Sequence, residues 1–267
     1  MPLRLSPTFR DALAHADRPL AGMWVCTGSP LVAEICAGAG LDWVLIDMEH
    51  SPNGLESVLA QLQAVAVYPV TPLVRVPIGD VVTIKQVLDL GAQNLLVPMV
   101  SSRTDAEAAV AAVRYPPRGT RGVGSALARS ARWNRVDGYL QEADEHVSLF
   151  VQVETAAGVE AAGEIAAVDG VDGVFVGPSD LAASMGVLGQ QTHPDVVAAV
   201  HRTFDAVRAA GKPVGVNAFD PAAAQAYLDA GASFVLVGAD VGLLARGSEA
   251  LAARFVPADP AAERASY

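Results

Sequence analysis

The sequence predicts one (β/α)8 barrel, and three observations carry that expectation. Eight short Val/Ile/Leu-rich runs alternate with Ala-rich stretches of helical periodicity along nearly the whole chain. Each run is almost continuously apolar, as strands covered by helices on both faces of a parallel sheet must be. Most successive strand ends fall about 20–28 residues apart, the length of one βα unit. A doubly wound open sheet rarely needs eight such units in succession. No linker or change of composition marks a second domain, so residues 1–267 read as a single barrel domain.

Residues 1–19 read as an extra N-terminal helix, residues 20–255 as the barrel, and residues 256–267 as a flexible tail. The strand candidates are Leu20–Cys26, Trp43–Asp47, Pro72–Val76, Asn94–Val97, Val147–Val153, Gly173–Val176, Pro213–Val216 and Phe234–Val237. Between them the helix at Ser29–Ala39 opens on a Ser cap followed by Pro, two residues suited to the first positions of a helix. Helices at Asn53–Val67, Asp80–Leu90, Thr104–Val113 and Thr155–Ala162 follow. The later ones are His193–Ala210, Asp220–Ala230 and Asp240–Arg254, with Asp220-Pro221 repeating the cap-then-Pro signal. Gly91, Gly211 and Gly231 stand where helices stop, as C-terminal glycines do. Two connections are longer than the rest: an insert around 114–146 and another around 179–192.

Composition removes several function classes. With 52% hydrophobic and 18% charged residues the chain is not disordered. A formal net charge of −11 argues against nucleic-acid binding, which needs a positive footprint. Six arginines (114, 118, 121, 129, 132 and 135) crowd the first insert. In so acidic a chain they suit a lid, an anion-binding loop or a subunit contact better than a nucleic acid. Cys26 and Cys36 form neither a CxxC pair nor a metal-finger spacing, which suits a reduced compartment. The N-terminus lacks the apolar core of a signal peptide, and no apolar run is long enough to span a bilayer. The expected location is the cytoplasm, with no membrane partner.

In a (β/α)8 barrel the chemistry sits at the C-terminal ends of the strands. The second strand delivers Asp47, Glu49 and His50 there, the third Arg75, the fifth Gln152 and Glu154, and the sixth Gly177-Pro178-Ser179-Asp180. Asn217 ends the seventh, and Gly238 and Asp240 follow the eighth. Glu154 and Asp180, with no His or Cys companion, suit a hard divalent ion that keeps positions open for water and substrate. The competing reading is that each caps the helix after it. His50, following carboxylates, is either a general base or simply exposed. Arg75 at the end of an apolar strand requires an anionic partner, structural or substrate. Gln152 and Glu154 are two apart on one strand and so point to the same side.

Lysine is scarce: 16 of the 18 basic residues are Arg, leaving Lys85 and Lys212. Barrel enzymes that activate a carbonyl group do so with a Schiff-base Lys or with a metal. A Schiff-base Lys must lie inside, near a strand's C-terminal end. Lys212 precedes the seventh strand, and Lys85 is on a helix. The Schiff-base chemistry is therefore excluded without reference to any family.

Six motifs in order resemble the HpcH/HpaI aldolase family. They are Asp47-Met-Glu-His50-Ser, Leu73-Val-Arg75-Val-Pro77, Gly91 to Met99, Tyr115-Pro-Pro-Arg-Gly119 with Arg121-Gly-Val-Gly124, Gln152-Val-Glu154-Thr, and Gly177-Pro-Ser-Asp180-Leu. The likeness runs from about residue 20 to 255. It implies a barrel of the phosphoenolpyruvate/pyruvate-binding type and a metal-dependent, class II pyruvate aldolase. The implied reaction splits a 4-hydroxy-2-oxo acid reversibly, such as 4-hydroxy-2-oxoheptanedioate, to pyruvate and succinic semialdehyde. The implied metal ligands are Glu154 and Asp180, for Mg²⁺, Mn²⁺ or Co²⁺. His50 is the implied acid/base and Arg75 the enolate stabiliser. Gln152, the backbone of Ser179, Arg75 and Asp47 are the expected substrate contacts. Asp89 matches a carboxylate that raises the basicity of the His. It falls at the end of a helix, towards the opposite barrel face, so reaching His50 needs a kink or a neighbouring subunit. The resemblance further implies a homohexamer of two trimers that exchange a C-terminal helix. Other readings are a 2-keto-3-deoxy sugar-acid aldolase, a lyase for a CoA-ester or phosphoenolpyruvate-type substrate, and a pyruvate-binding sensor barrel without catalysis.

Overall fold

The computed structural model describes residues 3–257. The strands β1 (Leu20–Val25), β2 (Trp43–Asp47), β3 (Thr71–Arg75), β4 (Asn94–Val97), β5 (Ser148–Val153), β6 (Gly173–Val176), β7 (Val214–Asn217) and β8 (Phe234–Ala239) pair in sequence order and close, β8 against β1. All eight pairings are parallel. Every residue of β2, β4, β5 and β6 is buried, the reason these runs read as unbroken apolar segments.

Helices α1 (Phe9–His15), α2 (Pro30–Ala37), α3 (Leu55–Ala64), α4 (Val81–Asp89), α5 (Arg103–Val113), α6 (Tyr139–Glu142), α7 (Ala156–Glu160), α8 (Ala162–Ala166), α9 (Pro178–Ser184), α10 (Pro194–Ala209), α11 (Pro221–Asp229) and α12 (Asp240–Phe255) complete the order. Caps start several of them. Ser29 accepts the Val32 N–H, Asp80 those of Val82 and Thr83, Thr155 that of Gly158, and Asp220 that of Ala223. No helix among the described residues is long and apolar enough to cross a membrane.

Three element boundaries differ from the sequence reading. The N-terminal helix is confined to Phe9–His15, entered through a Thr8–Asp11 capping box. The helix expected at Thr155–Ala162 becomes two, α7 and α8, meeting at Ala161, whose φ of −92° and ψ of 1° leave the helical region. The segment expected as Asn53–Val67 ends in a separate 3₁₀ turn at Val65–Val67. Most of the tail expected at 256–267 lies outside the described residues.

The bottom of the barrel is plugged by aromatic rings. Trp43, Phe234 and Phe150 each stand directly across from a glycine on the neighbouring strand: Gly22, Gly215 and Gly173. A Cβ on any of those glycines would come within 2.5 Å of the facing ring. The three rings surround Phe9 of α1 at centroid distances of 5.1–5.4 Å. The Phe9 N–H donates to Asn94 Oδ1 at 2.7 Å, so the N-terminal segment is pinned by both burial and polarity.

The insert between β4 and β5 forms a small satellite core of Ala131, Val136, Tyr139 and Ala143. Arg121, wholly buried, lies 4.5 Å above the Tyr115 ring and donates to Tyr139 Oη.

Candidate active site

The rim at the strands' C-terminal ends brings five expected residues into one cluster: Asp47, Arg75, Gln152, Glu154 and Asp180. Arg75, at the end of β3, is 5% exposed, so its charge must be answered from within. Its Nε donates to Asp47 Oδ1 at 2.7 Å, and its Nη1 lies 2.8 Å from Glu49 Oε2. The guanidinium plane stands 4.2 Å from the Trp24 ring. Nη2 carries no hydrogen bond within the described residues.

Asp47 is 1% exposed, and both of its carboxylate oxygens accept hydrogen bonds. It accepts from Arg75 Nε and from the N–H groups of Glu49 and His50. Asp47 thus shapes the turn after β2 and fixes Arg75. His50 is open, its side chain 65% exposed, with Nε2 3.9 Å from Glu49 Oε2.

Glu154 follows β5 and is 2% exposed. Its Oε1 accepts the Met99 N–H at 2.7 Å, and its Oε2 accepts from Gln152 Nε2. Burial pushes the carboxyl up to about 7 against those two hydrogen bonds, and the charges of Glu49 and Asp180 add to the rise. Burial also raises Glu49, with Arg75 opposing. Gly177 makes room for this carboxylate, since a Cβ there would come 2.8 Å from Glu154 Oε2. Gln152 Oε1 is buried without a partner.

The helix-capping alternative for the two acids is not realised. Thr155, not Glu154, caps α7. α9 starts at Gly177-Pro178 with no side-chain cap, and Asp180 stays exposed in its first turn. Ser179 is exposed too, its hydroxyl donating to Gln191.

Other expected residues fall elsewhere. Asn217 accepts from Trp24 Nε1, and Asp240 accepts the N–H groups of Cys26 and Thr27, so both brace the rim. Asp89 ends α4 and lies 3.8 Å from Arg121 Nη2, with no hydrogen bond or ion pair to His50 among the described residues, in keeping with its expected place towards the opposite barrel face. Lys212 donates to the Val171 carbonyl, before β6 and β7 begin, and so stays clear of the rim. Two participants lacked a role in the sequence reading. Glu49 was placed at the strand end without function, and Met99 contributes a backbone N–H, which no side-chain pattern reveals. The left-handed φ of 57° at Met99 is a backbone property equally hidden.

Comparison with known proteins adds the lineage. The profile described as HpcH/HpaI aldolase/citrate lyase matches residues 20–247, nearly the whole barrel. The chain belongs to the HpcH/HpaI family. A member from Salmonella heidelberg (strain SL476), named 4-hydroxy-2-oxo-heptane-1,7-dioate aldolase, is 53% identical over 92% of this chain and 94% of its own. A Deinococcus radiodurans member, named hydroxypyruvate/pyruvate aldolase, is 54% identical over 95% of this chain and 92% of its own. The crystal structure of an HpcH/HpaI aldolase/citrate lyase family protein from Burkholderia cenocepacia J2315 superposes with a TM-score of 0.87 at 43% identity, over 91% of this chain and 96% of that one.

The rim residues of this HpcH/HpaI member fit a hard divalent ion. They offer carboxylate oxygens, and Glu154 is buried with no cation paired to it among the described residues. Among the described residues no cluster of three or more His, Cys, Asp or Glu could enclose an ion. A two-carboxylate set leaves coordination positions to water and substrate.

Proposed function

We propose that the protein is a class II aldolase, cleaving 4-hydroxy-2-oxo acids reversibly to pyruvate and an aldehyde. Conversion of 4-hydroxy-2-oxoheptanedioate to pyruvate and succinic semialdehyde is the leading case. The observation that carries the reading is Glu154, buried and raised in pKa beside Asp180, with Arg75 already fixed on the same rim. The Salmonella relative's name supports the substrate, and the family supports the lyase class.

Glu154 and Asp180 would hold the ion, Mg²⁺, Mn²⁺ or Co²⁺. Such an ion supplies Lewis-acid polarisation of the substrate's 2-oxo group. Gln152 and the Ser179 backbone orient the pyruvyl end. His50, through a water, accepts the proton of the 4-hydroxyl. The O–H electron pair becomes the aldehyde carbonyl while the C3–C4 pair passes to C3, leaving pyruvate enolate. Arg75 meets the negative charge that develops on the 2-oxo oxygen. Because Asp47, Glu49 and Trp24 already hold it, little reorganisation is needed at that moment. A proton then adds to C3 and gives pyruvate.

Pyruvate release from a panel of 4-hydroxy-2-oxo acids tests the reading. EDTA is expected to abolish it and Mn²⁺, Mg²⁺ or Co²⁺ to restore it. Arg75→Ala is expected to lower kcat by about 10²–10³ with the fold retained. Insensitivity to chelation, or an active Arg75→Ala, overturns it. A second reading rests on the Deinococcus relative: hydroxypyruvate serving in place of pyruvate, which the same panel run in the aldol direction distinguishes.

We also place the protein in the cytoplasm as a homohexamer of two trimers. The free Cys26 and Cys36 support a reduced compartment. The apolar face of α12 supports assembly: Leu243, Leu244, Leu251 and Phe255 are exposed, and Asp240 is the helix's one buried residue.

A further inference from the structure

A cavity of about 1140 Å³ opens at the N-terminal face of the barrel, the end opposite Glu154 and Arg75. It lies between α1, the starts of β3 and β4, and the arginine-rich insert, and it is roomy enough for a metabolite-sized ligand. Arg129 and Arg132 line it, both half-buried. Their Nη1 atoms come within 2.7 and 2.8 Å of the point where a Cβ on Gly91 would stand. The two like charges therefore face each other across a single glycine.

The six arginines of the insert divide sharply. Arg114 pairs with Asp169 at 3.0 Å, Arg118 with Asp144 at 2.6 Å and Arg121 with Asp89 at 3.8 Å, while Arg135 lies over Trp133. Arg129 and Arg132 have only carbonyl partners, those of Leu90 and of Arg129 itself, each using one guanidinium nitrogen. No carboxylate among the described residues comes within 4.0 Å of either. The cavity's own acids are Asp11, bonded to Thr8, and Glu145; its other titratable groups are Arg10, tied to Asp172, Tyr68, bonded to Glu34, and His15 and His146. Burial pulls both guanidiniums below their ordinary pKa, and the charge of Arg132 adds to the effect on Arg129. The backbone is bent to present them: Arg132, Trp133 and Asn134 are consecutive left-handed residues, with φ of 48°, 55° and 62°. Only the Asn is at ease there. Such local strain persists where the surroundings hold it in place.

We propose that this face binds a small oxyanion, a phosphate- or carboxylate-bearing metabolite whose oxygens are gripped by Arg129 and Arg132 above Gly91. Planar guanidiniums match such oxygens in pairs, and a bound anion removes the repulsion of two desolvated like charges. The site is separate from the aldol chemistry and does not depend on it.

Isothermal titration of the metal-loaded protein with inorganic phosphate and with succinate tests the proposal. Saturable binding of at least one probe is expected in the wild type and in R75A. It should weaken by about tenfold or more in R129Q and R132Q, the loss of a charge-assisted partner. Both variants should keep basal pyruvate release. Phosphate alone binding identifies a phosphate ester as the ligand class, and succinate alone identifies a dicarboxylate. R129Q also removes a bond to the end of α4, so R132Q decides the matter if R129Q fails to fold. An unchanged isotherm in R132Q overturns the proposal, as does the absence of saturable binding in the wild type. So does a smaller assembly mass for R132Q without probe, which would assign the pair to a subunit contact.

Discussion

Arg75 and Glu154 illustrate opposite solutions to burying a charge at one rim. Arg75 is answered by two carboxylates and an aromatic face, whereas Glu154 receives hydrogen bonds but no counter-charge among the described residues. Its carboxyl, ordinarily 4.5, is raised to about 7. Between those values the folded protein keeps a proton that the unfolded chain has lost, so stability must fall as pH rises through that window. In chelator, the melting temperature of the wild type is expected to drop more from about pH 5.5 to about pH 8 than that of Glu154→Gln. Equal slopes would show that Glu154 is not the group responsible. The side chains of this rim were legible in the sequence because strand ends deliver them at barrel spacing. The role of Asp47 was not: its burial under Arg75 follows from the Asp47–Arg75 register of β2 and β3, which one strand read alone cannot reveal. Nor could the Met99 N–H be foreseen, because every residue but proline carries one.

α1 is only seven residues long, too short to persist as an isolated helix. Its capping box and Phe9 hold it against the barrel. Phe9→Ala removes a wholly buried ring from an aromatic cluster that cannot collapse around the gap, and is expected to cost about 3–5 kcal/mol. Urea unfolding measures this, and a loss below about 1 kcal/mol would mean that the plug carries little of the stability. The strand runs and the cap-then-Pro starts were readable element by element. The plug was not, because Phe9 belongs to no periodic pattern and its partners lie on three distant strands. The break between α7 and α8 was equally hidden, since Ala161 is a good helix former whose departure comes from tertiary context.

At the scale of the whole molecule, α12 presents apolar side chains that nothing in the described residues covers. Leu243 and Leu244 of α12 are 66% and 63% exposed, adjacent and near the start of the helix. Replacing both by Glu is expected to reduce the assembled mass in light scattering to that of smaller species, while circular dichroism of the barrel is retained. A mass unchanged by the double substitution would remove α12 from the assembly interface. Closure of the barrel itself was legible from eight apolar runs at βα spacing, since the order in which they pair is the order in which they occur. The aromatic plug has a consequence in time as well as in energy. Phe9 belongs to the first helix of the barrel, and Phe234, one of the rings it meets, belongs to the last strand. That contact closes a loop spanning the barrel from its first helix to its last strand, the kind of event that makes folding slow. The seat of α1 is therefore complete only when β8 is in place, so its docking is expected late in barrel closure.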